Sequence, residues 1–279
     1  MTLPIRPSIA TLLLVTLQAL AQAPAPTGEL SGTAWAHTPQ SLVMLVQQAR
    51  VFLPARATGG AEFAGKLADA PATAGQKVPV VLFLHGSSGL GSPAIAEFQR
   101  WLGAQGFASV APDSFALAGR VTYKSPIDKA SYERIHALRA SEIAPTLQAI
   151  AALPWADTAR LVLAGTSEGA VPVARYAGGE FAARILYAWS CEPNYFVEAP
   201  RNAFADRRPV LNVISASDPF FSRANPWLGN PQAVGHCGRA LEGRPDAAVL
   251  LVPDAPHTLF NLPAARAATA GFLLPFARP

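Results

Sequence analysis

The stretch LVLAGTSEGA, residues 161–170, decides how the rest of the chain is interpreted. Its first four residues, Leu161–Ala164, are apolar and lead directly into the G-x-S-x-G sequence Gly165–Gly169. Short apolar runs that end at a glycine are typical of strands buried on both faces of a sheet. Small residues on either side of Ser167 let a strand and a following helix approach closely, and the sharp turn holds the hydroxyl out at its tip. The pattern predicts strand, tight turn and helix, with Ser167 as a candidate nucleophile.

Further apolar runs of the same kind occur on both sides of this stretch, and helical patterns lie between them. The strand candidates are Val78–Leu84, Phe107–Ala111, Ile185–Trp189, Val210–Ile214 and Val249–Val252. The helix candidates are Ala94–Gln105, the long segment Ser125–Leu153, which Pro145 is expected to kink or split, and Pro263–Phe276. This alternation predicts an α/β fold, a mostly parallel, doubly wound sheet with helices on both faces. Residues 54–77, rich in Ala, Gly and Pro, are compatible with either an edge hairpin or a loop.

A serine hydroxyl is a poor nucleophile unless a neighbouring base takes its proton. His257 is the candidate base, because it is the only histidine downstream of every predicted strand and lies in the loop after the last one. The other histidines have less favourable places. His37 precedes the sheet, His85 ends a strand, His136 is expected to be exposed or to pack within a helix, and His236 adjoins Cys237 and is interpreted as structural.

The base in turn needs a carboxylate that orients its ring. Asp218 follows the strand candidate Val210–Ile214 and lies between Ser167 and His257 in the chain. Glu192, after the preceding strand, is the competing acid, and Asp254 is too near His257 in sequence to be favoured. The predicted catalytic residues are therefore Ser167, Asp218 and His257, in the order serine, acid, histidine.

The sequence HGSSG, residues 85–89, follows the first strong strand and can supply backbone N–H groups to an oxyanion. We assign this role to Ser87 and to Glu168, the residue after the candidate nucleophile. The Glu168 carboxylate would oppose the developing negative charge if it pointed inward, so we expect it to point toward solvent or toward a cationic partner. The same loop lacks the lysine of a P-loop, which argues against the alternative that it binds the phosphates of a nucleotide.

These motifs resemble the dienelactone hydrolase family of α/β-hydrolases over roughly residues 78–262. The residues that carry the resemblance are HGSSGL at 85–90, DSF at 113–115, GTSEGA at 165–170, SDPF at 217–220 and PHTLF at 256–260. The resemblance implies the α/β-hydrolase fold without a large lid, no metal or organic cofactor, and Ser87 and Glu168 at the oxyanion hole. The family's own elbow is G-x-C-x-G-G, whereas this chain has Ser167 and Ala170 there. This departure favours ordinary ester hydrolysis over a dienelactone substrate.

The expected activity is therefore that of a serine esterase acting on a small-molecule ester or lactone through an acyl-enzyme. A peptidase, a polyester hydrolase and a non-catalytic binding protein of the same fold are the alternatives. Aromatic residues that follow the late strands could line an apolar acyl or aryl pocket, or could simply pack in the core. They are Trp189, Tyr195, Phe196, Phe220, Phe221 and Trp227.

The composition limits the function classes further. The 279 residues are 51% hydrophobic and 14% charged, which excludes a largely disordered chain. The formal net charge is +4, and no Lys/Arg cluster occurs, so the sequence gives no indication of nucleic-acid binding.

The N-terminal residues 1–23 have the pattern of a secretory signal peptide. Arg6 supplies the positive charge, Ile9–Leu20 is apolar, and cleavage is expected after Ala21 or Ala23. A retained anchor is the alternative, and no second apolar run is long enough to span a membrane. The mature chain, residues 24–279, is expected to be a single secreted or periplasmic domain.

The two cysteines would then reach an oxidising compartment. Cys191 and Cys237 are candidates for a disulfide, which would contribute about 4 kcal/mol by closing a long loop of the unfolded chain. Two unpaired buried thiols are the alternative.

Overall fold

The computed structural model of the protein describes residues 27–72 and 75–277, so the proposed signal peptide, residues 1–23, lies outside the described residues. The strands are β1 (Leu30–Ser31), β2 (Arg50–Leu53), β3 (Phe63–Lys66), β4 (Val78–Leu84), β5 (Ala108–Ala111), β6 (Thr122–Tyr123), β7 (Ala156–Thr166), β8 (Ala183–Tyr187), β9 (Val210–Ser215) and β10 (Ala247–Val252). The helices are α1 (Pro39–Gln47), α2 (Ala55–Thr58), α3 (Pro93–Ala104), α4 (Lys129–Ser141), α5 (Ile143–Ala151), α6 (Ala170–Arg175) and α7 (Pro263–Ala277).

Eight of these strands form one sheet in the order β10-β9-β8-β7-β4-β5-β2-β3. The strands from β10 to β5 pair in parallel, while β2 pairs antiparallel with both β5 and β3. The first strand of the parallel part, β4, has the next strand β5 on one side and the later strand β7 on the other. Ligands of such sheets bind outside the carboxyl ends of the strands where the order reverses, which is the edge between β4 and β7.

Helices cover both faces of the sheet, as the alternating side chains of β4 illustrate. Val80, Leu82 and Leu84 belong to the core that also holds Tyr132 and Ile150 of the helices α4 and α5. On the opposite face, Val81 and Phe83 pack in a second core with residues of α3 and α7. Strands buried on both faces are therefore continuously apolar, and the predicted doubly wound α/β fold is confirmed.

Pro145 does split the long helical segment, as predicted. Helix α4 begins after Asp128, whose side chain accepts a hydrogen bond from the backbone N–H of Ser131 at 2.8 Å. The break between α4 and α5 falls at Glu142, so that Pro145 lies in the first turn of α5. Proline is tolerated in a first turn because the N–H groups there have no partner within the helix.

The segment 54–77 contributes the strand β3 to an edge hairpin, which is one of the two interpretations that the sequence allowed. β3 pairs antiparallel with β2, with Arg50 opposite Lys66 and Leu53 opposite Phe63. The partner strand β2 was not predicted, because it has four residues and is preceded by the short helix α1 rather than by a turn cluster.

Cys191 and Cys237 form a disulfide with an S–S distance of 1.98 Å. Next to it, the buried carboxylate of Glu192 accepts hydrogen bonds from the backbone N–H groups of Val234 and Gly235 at 2.8–3.1 Å. The disulfide and this carboxylate together hold the loop that leads away from Asp218. Among the described residues, no helix is both long and apolar enough to cross a membrane.

Candidate active site

Ser167 lies directly after β7, at the start of a short 3₁₀ turn that leads into α6. Its φ of 54° is in the left-handed region, which a non-glycine residue rarely adopts. The glycines beside it are required by close packing. A Cβ at Gly165 would lie 2.4 Å from the Gly169 carbonyl oxygen, and one at Gly169 would lie 2.3 Å from that of Leu84. The predicted sharp turn between strand and helix is present.

The HGSSG loop lies beside this turn because β4 and β7 are neighbours, with Leu84 opposite Gly165. A Cβ at Gly86 would come within 3.3 Å of the Ser167 Cβ. The buried His85 ring fixes the loop, because its Nε2 accepts from the Ser114 N–H at 3.2 Å and its Nδ1 lies 2.7 Å from the Gly86 carbonyl oxygen. Burial, followed by the charge of Arg139, holds the pKa of His85 well below its usual value, so the ring is neutral.

Asp218 and His257 come together although 39 residues separate them. The Asp218 carboxylate is fully buried, and its Oδ2 lies 2.8 Å from His257 Nδ1. Its other oxygen accepts from the backbone N–H groups of Phe220 and Phe221 at 2.9 and 3.0 Å. Because a carboxylate only accepts, Nδ1 carries the proton of this contact, and in a neutral imidazole Nε2 then has the free lone pair. Glu192, the competing acid, is instead bound to the loop at Val234 and Gly235.

A cavity of about 180 Å³ brings the candidate residues to one place. Ser167, His257 and Ser87 all line it, together with Gly86 and the exposed Ser88. Four of the six aromatic residues singled out in the sequence line it as well, namely Tyr195, Phe196, Phe220 and Phe221. The other two pack behind them, since the Trp189 ring lies 4.9 Å from that of Phe221 and the Trp227 ring 5.9 Å from that of Tyr195. The lining also includes Tyr123 and Ser125, which no motif indicated, and Phe260, the last residue of the PHTLF motif.

The side chain of Glu168 points away from this cavity and is fully buried among arginines. Its Oε1 accepts from Arg120 Nη2 at 2.6 Å and from Arg139 Nη1 at 3.0 Å. Of the two directions expected for this carboxylate, the cationic partner is therefore correct and solvent is wrong. The backbone N–H of Glu168 is thus held at the turn by a side chain that is itself anchored.

The ion pairs continue behind Glu168 as a buried network. Arg139 Nε donates to Glu142 Oε2 at 3.0 Å, and Arg120 Nε donates to Ser114 Oγ at 2.7 Å. The four charged side chains are at most 2% exposed, and the two guanidinium groups balance the two carboxylates. The sequence analysis missed both arginines, although the spacing of Arg139 and Glu142 on a helix could have indicated their pairing.

His136 is buried beside this network and packs in the core, which is one of its two predicted states. Its ring is 4.8 Å from that of Phe196, and neither ring nitrogen has a hydrogen-bond partner among the described residues. Burial, followed by the charge of Arg175, lowers the pKa of His136 from 6.5 to about 4. The pKa of His136 is also influenced by the charges of Glu168, Glu133 and Arg139.

The lowered pKa of His136 predicts a loss of stability in mild acid. The unfolded chain binds this proton near pH 6.5 and the folded protein only near pH 4, so the contribution is complete above pH 6.5 and is lost as the pH falls toward 4. A shift of this size corresponds to about 3 kcal/mol at about 1.4 kcal/mol per unit. His136→Phe should remove this part of the pH dependence, measured by urea unfolding between pH 7 and 4. An unchanged pH slope in the variant would contradict the assignment.

No family model matches the sequence, and a search of curated proteins also finds no match. The fold, in contrast, is similar to many solved structures. Est1E from Butyrivibrio proteoclasticus matches with a TM-score of 0.52 at 14% identity, over 82% of this chain and 93% of its own. A putative dienelactone hydrolase from Klebsiella pneumoniae matches with a TM-score of 0.51 at 17% identity, over 92% and 100%. A dienelactone hydrolase-like promiscuous phosphotriesterase from metagenomic libraries gives 0.50 at 18% identity, over 90% and 96%.

The sheet order, the turn at Ser167 and these likenesses define an α/β-hydrolase fold. Within that class, the architecture is similar to the dienelactone hydrolase-like structures. The resemblance first seen in the motifs therefore extends to the fold.

Proposed function

We propose that the protein is a serine hydrolase that cleaves carboxylic esters or lactones. The observation that carries the proposal is the juxtaposition of Ser167, on a turn with left-handed backbone, and His257, whose Nδ1 is bound by the buried Asp218, in one cavity. A binding protein would have no need of a serine on a strained turn beside an oriented histidine.

The proposed reaction begins when His257 Nε2 takes the Ser167 proton while Oγ attacks the carbonyl carbon. The resulting oxyanion accepts hydrogen bonds from the backbone N–H groups of Ser87 and Glu168. His257 returns the proton to the leaving alcohol as the C–O bond breaks, which leaves an acyl-enzyme. Water, deprotonated by His257, attacks this ester and releases the acid, and Ser167 regains its proton. Asp218 keeps the ring in the Nδ1–H form throughout and stabilises the imidazolium.

The buried network behind Glu168 supports this assignment. An acidic residue next to the nucleophile would weaken the oxyanion hole if its charge faced the substrate. Here the carboxylate is paired with Arg120 and Arg139 and does not line the cavity, which supports our assignment of only its backbone N–H to the oxyanion.

We also propose that residues 1–23 are a signal peptide and that residues 24–279 form one secreted or periplasmic domain. The disulfide between Cys191 and Cys237 supports this location, because disulfides persist mainly in oxidising compartments.

A fluorophosphonate probe tests the proposed function directly. We expect the folded protein to take up one equivalent and peptide mapping to locate it on Ser167, because the probe reacts with a serine activated by a base and an oxyanion hole. The urea-unfolded protein should not react. The Ser88→Ala variant, which changes another serine of the same cavity, should react like the wild type. Absence of label, or label on another serine, would contradict the proposal and favour a non-catalytic binding protein.

A further inference from the structure

Six of the residues that line the cavity beside Ser167 are aromatic. Its aromatic lining consists of Tyr123, Tyr195, Phe196, Phe220, Phe221 and Phe260. Five of these rings, all except Phe260, form a connected set, with centroids 5.5 Å apart for Phe196 and Phe221 and 5.9 Å apart for Tyr195 and Phe196. The wall reaches the candidate base, because the Phe220 ring lies 4.6 Å from that of His257.

The cavity is large enough to hold one ring between these walls. A cavity of about 150 Å³ lined by apolar side chains is known to bind benzene. The 180 Å³ found here, in a cleft that opens to solvent, has room for one six-membered ring and a few further atoms.

The lining is also uncharged. No Lys, Arg, Asp or Glu side chain is among the described residues that line the cavity. Burial raises the pKa of Tyr195, and it raises that of Tyr123 as well, so both phenols keep their protons. The guanidinium of Arg120 is already paired with Glu168 and is only 2% exposed. A carboxylate on the substrate would thus lose its hydration without gaining an ion-pair partner.

We propose that this cavity binds a neutral ester with one aromatic ring beside the scissile bond, and that it discriminates against esters carrying a carboxylate. The aromatic walls favour an aromatic ring over a saturated one of the same size through edge-to-face and stacked contacts. Because no Lys or Arg side chain lines the cavity, a carboxylate on the substrate is disfavoured. This inference rests on the proposed function for its chemical consequence, but the binding preference can be measured separately.

The test uses the Ser167→Ala variant, which can bind esters without consuming them, and calorimetric titration. We expect methyl benzoate to bind about two- to tenfold tighter than methyl cyclohexanecarboxylate, the saturated match. Methyl 4-carbamoylbenzoate should bind at least tenfold tighter than monomethyl terephthalate, which has nearly the same shape and differs in its negative charge. Equal affinities within either pair would overturn the proposal.

A charge introduced at the cavity wall provides a second measurement. Ser92 lines the cavity at the start of α3, and its side chain makes no cap hydrogen bond. In the Ser167→Ala background, Ser92→Lys should shift the ratio of carboxylate to amide affinity toward the carboxylate by at least fivefold relative to Ser92→Gln. An unchanged ratio would contradict the binding of the ring in this cavity.

Turnover by the wild type separates this inference from the proposed function. Hydrolysis of methyl cyclohexanecarboxylate and methyl benzoate with equal efficiency, after correction for their alkaline hydrolysis rates, would leave the esterase proposal standing and overturn the aromatic one. Selective binding of methyl benzoate without any hydrolysis would leave the aromatic-binding proposal standing and overturn the esterase proposal.

Discussion

Replacing Ser167 by alanine is expected to lower kcat/KM for short 4-nitrophenyl esters by about 10⁴-fold or more. The proposed mechanism routes every turnover through a bond to Ser167 Oγ, and loss of such a nucleophile leaves only the stabilisation that binding and the oxyanion hole provide. At about 1.4 kcal/mol per factor of ten, the loss is at least about 5 kcal/mol of transition-state stabilisation. The measurement is steady-state hydrolysis of 4-nitrophenyl acetate, followed by 4-nitrophenolate absorbance.

The control for this prediction is Ser88→Ala, the same substitution at an exposed serine of the same cavity. We expect it to retain kcat/KM within about tenfold, because no proton or bond of the reaction is assigned to its side chain. Both variants should unfold at the same urea concentration as the wild type, which excludes a loss of fold as the cause. Residual activity of Ser167→Ala above about one hundredth of the wild type would show that another group is the nucleophile.

The candidate site could be predicted from the sequence because its parts follow individual strands. Ser167, Asp218 and His257 each come after an apolar run, and parallel strands deliver their carboxyl ends to one edge of a sheet. The glycines at 165 and 169 indicated the tight turn for the same local reason. The sequence signal that identified each of these residues lies in the residues immediately around it.

The wall of the cavity and the network behind it could not be predicted in the same way. Glu168 meets Arg120 and Arg139 across 48 and 29 residues, and only the packed fold decides which of 22 Lys and Arg side chains reach it. The pairing of β2 with β5 and β3 was likewise hidden, because four-residue antiparallel strands have no distinct periodicity. Local patterns in the sequence thus predicted the positions of the candidate reacting groups. Long-range packing determines what surrounds them.

Replacing Glu168 by glutamine is expected to destabilise the protein by about 3–5 kcal/mol, the usual cost of breaking a buried ion pair by removing one partner. The amide keeps the shape of the side chain but leaves the guanidinium of Arg120 without a carboxylate, because its remaining contacts are to Ser114 Oγ and the Val121 carbonyl oxygen. Arg139 retains Glu142. The measurement is the free energy of unfolding in urea at pH 8, where His136 is neutral in both states.

The matched control is Glu97→Gln, which removes the partner of Arg266 at the surface, where the two side chains are 58% and 26% exposed. Exposed pairs contribute little, so this variant should lose less than about 1 kcal/mol. The double variant Arg120→Met with Glu168→Gln removes both charges together. It should therefore be less destabilised than the sum of the two single variants, because neither leaves its partner unpaired. If Glu168→Gln were as mild as Glu97→Gln, the buried pair would not anchor the turn that carries Ser167. Some other contact would then have to hold the backbone N–H of Glu168 at the place that we assign to the oxyanion hole.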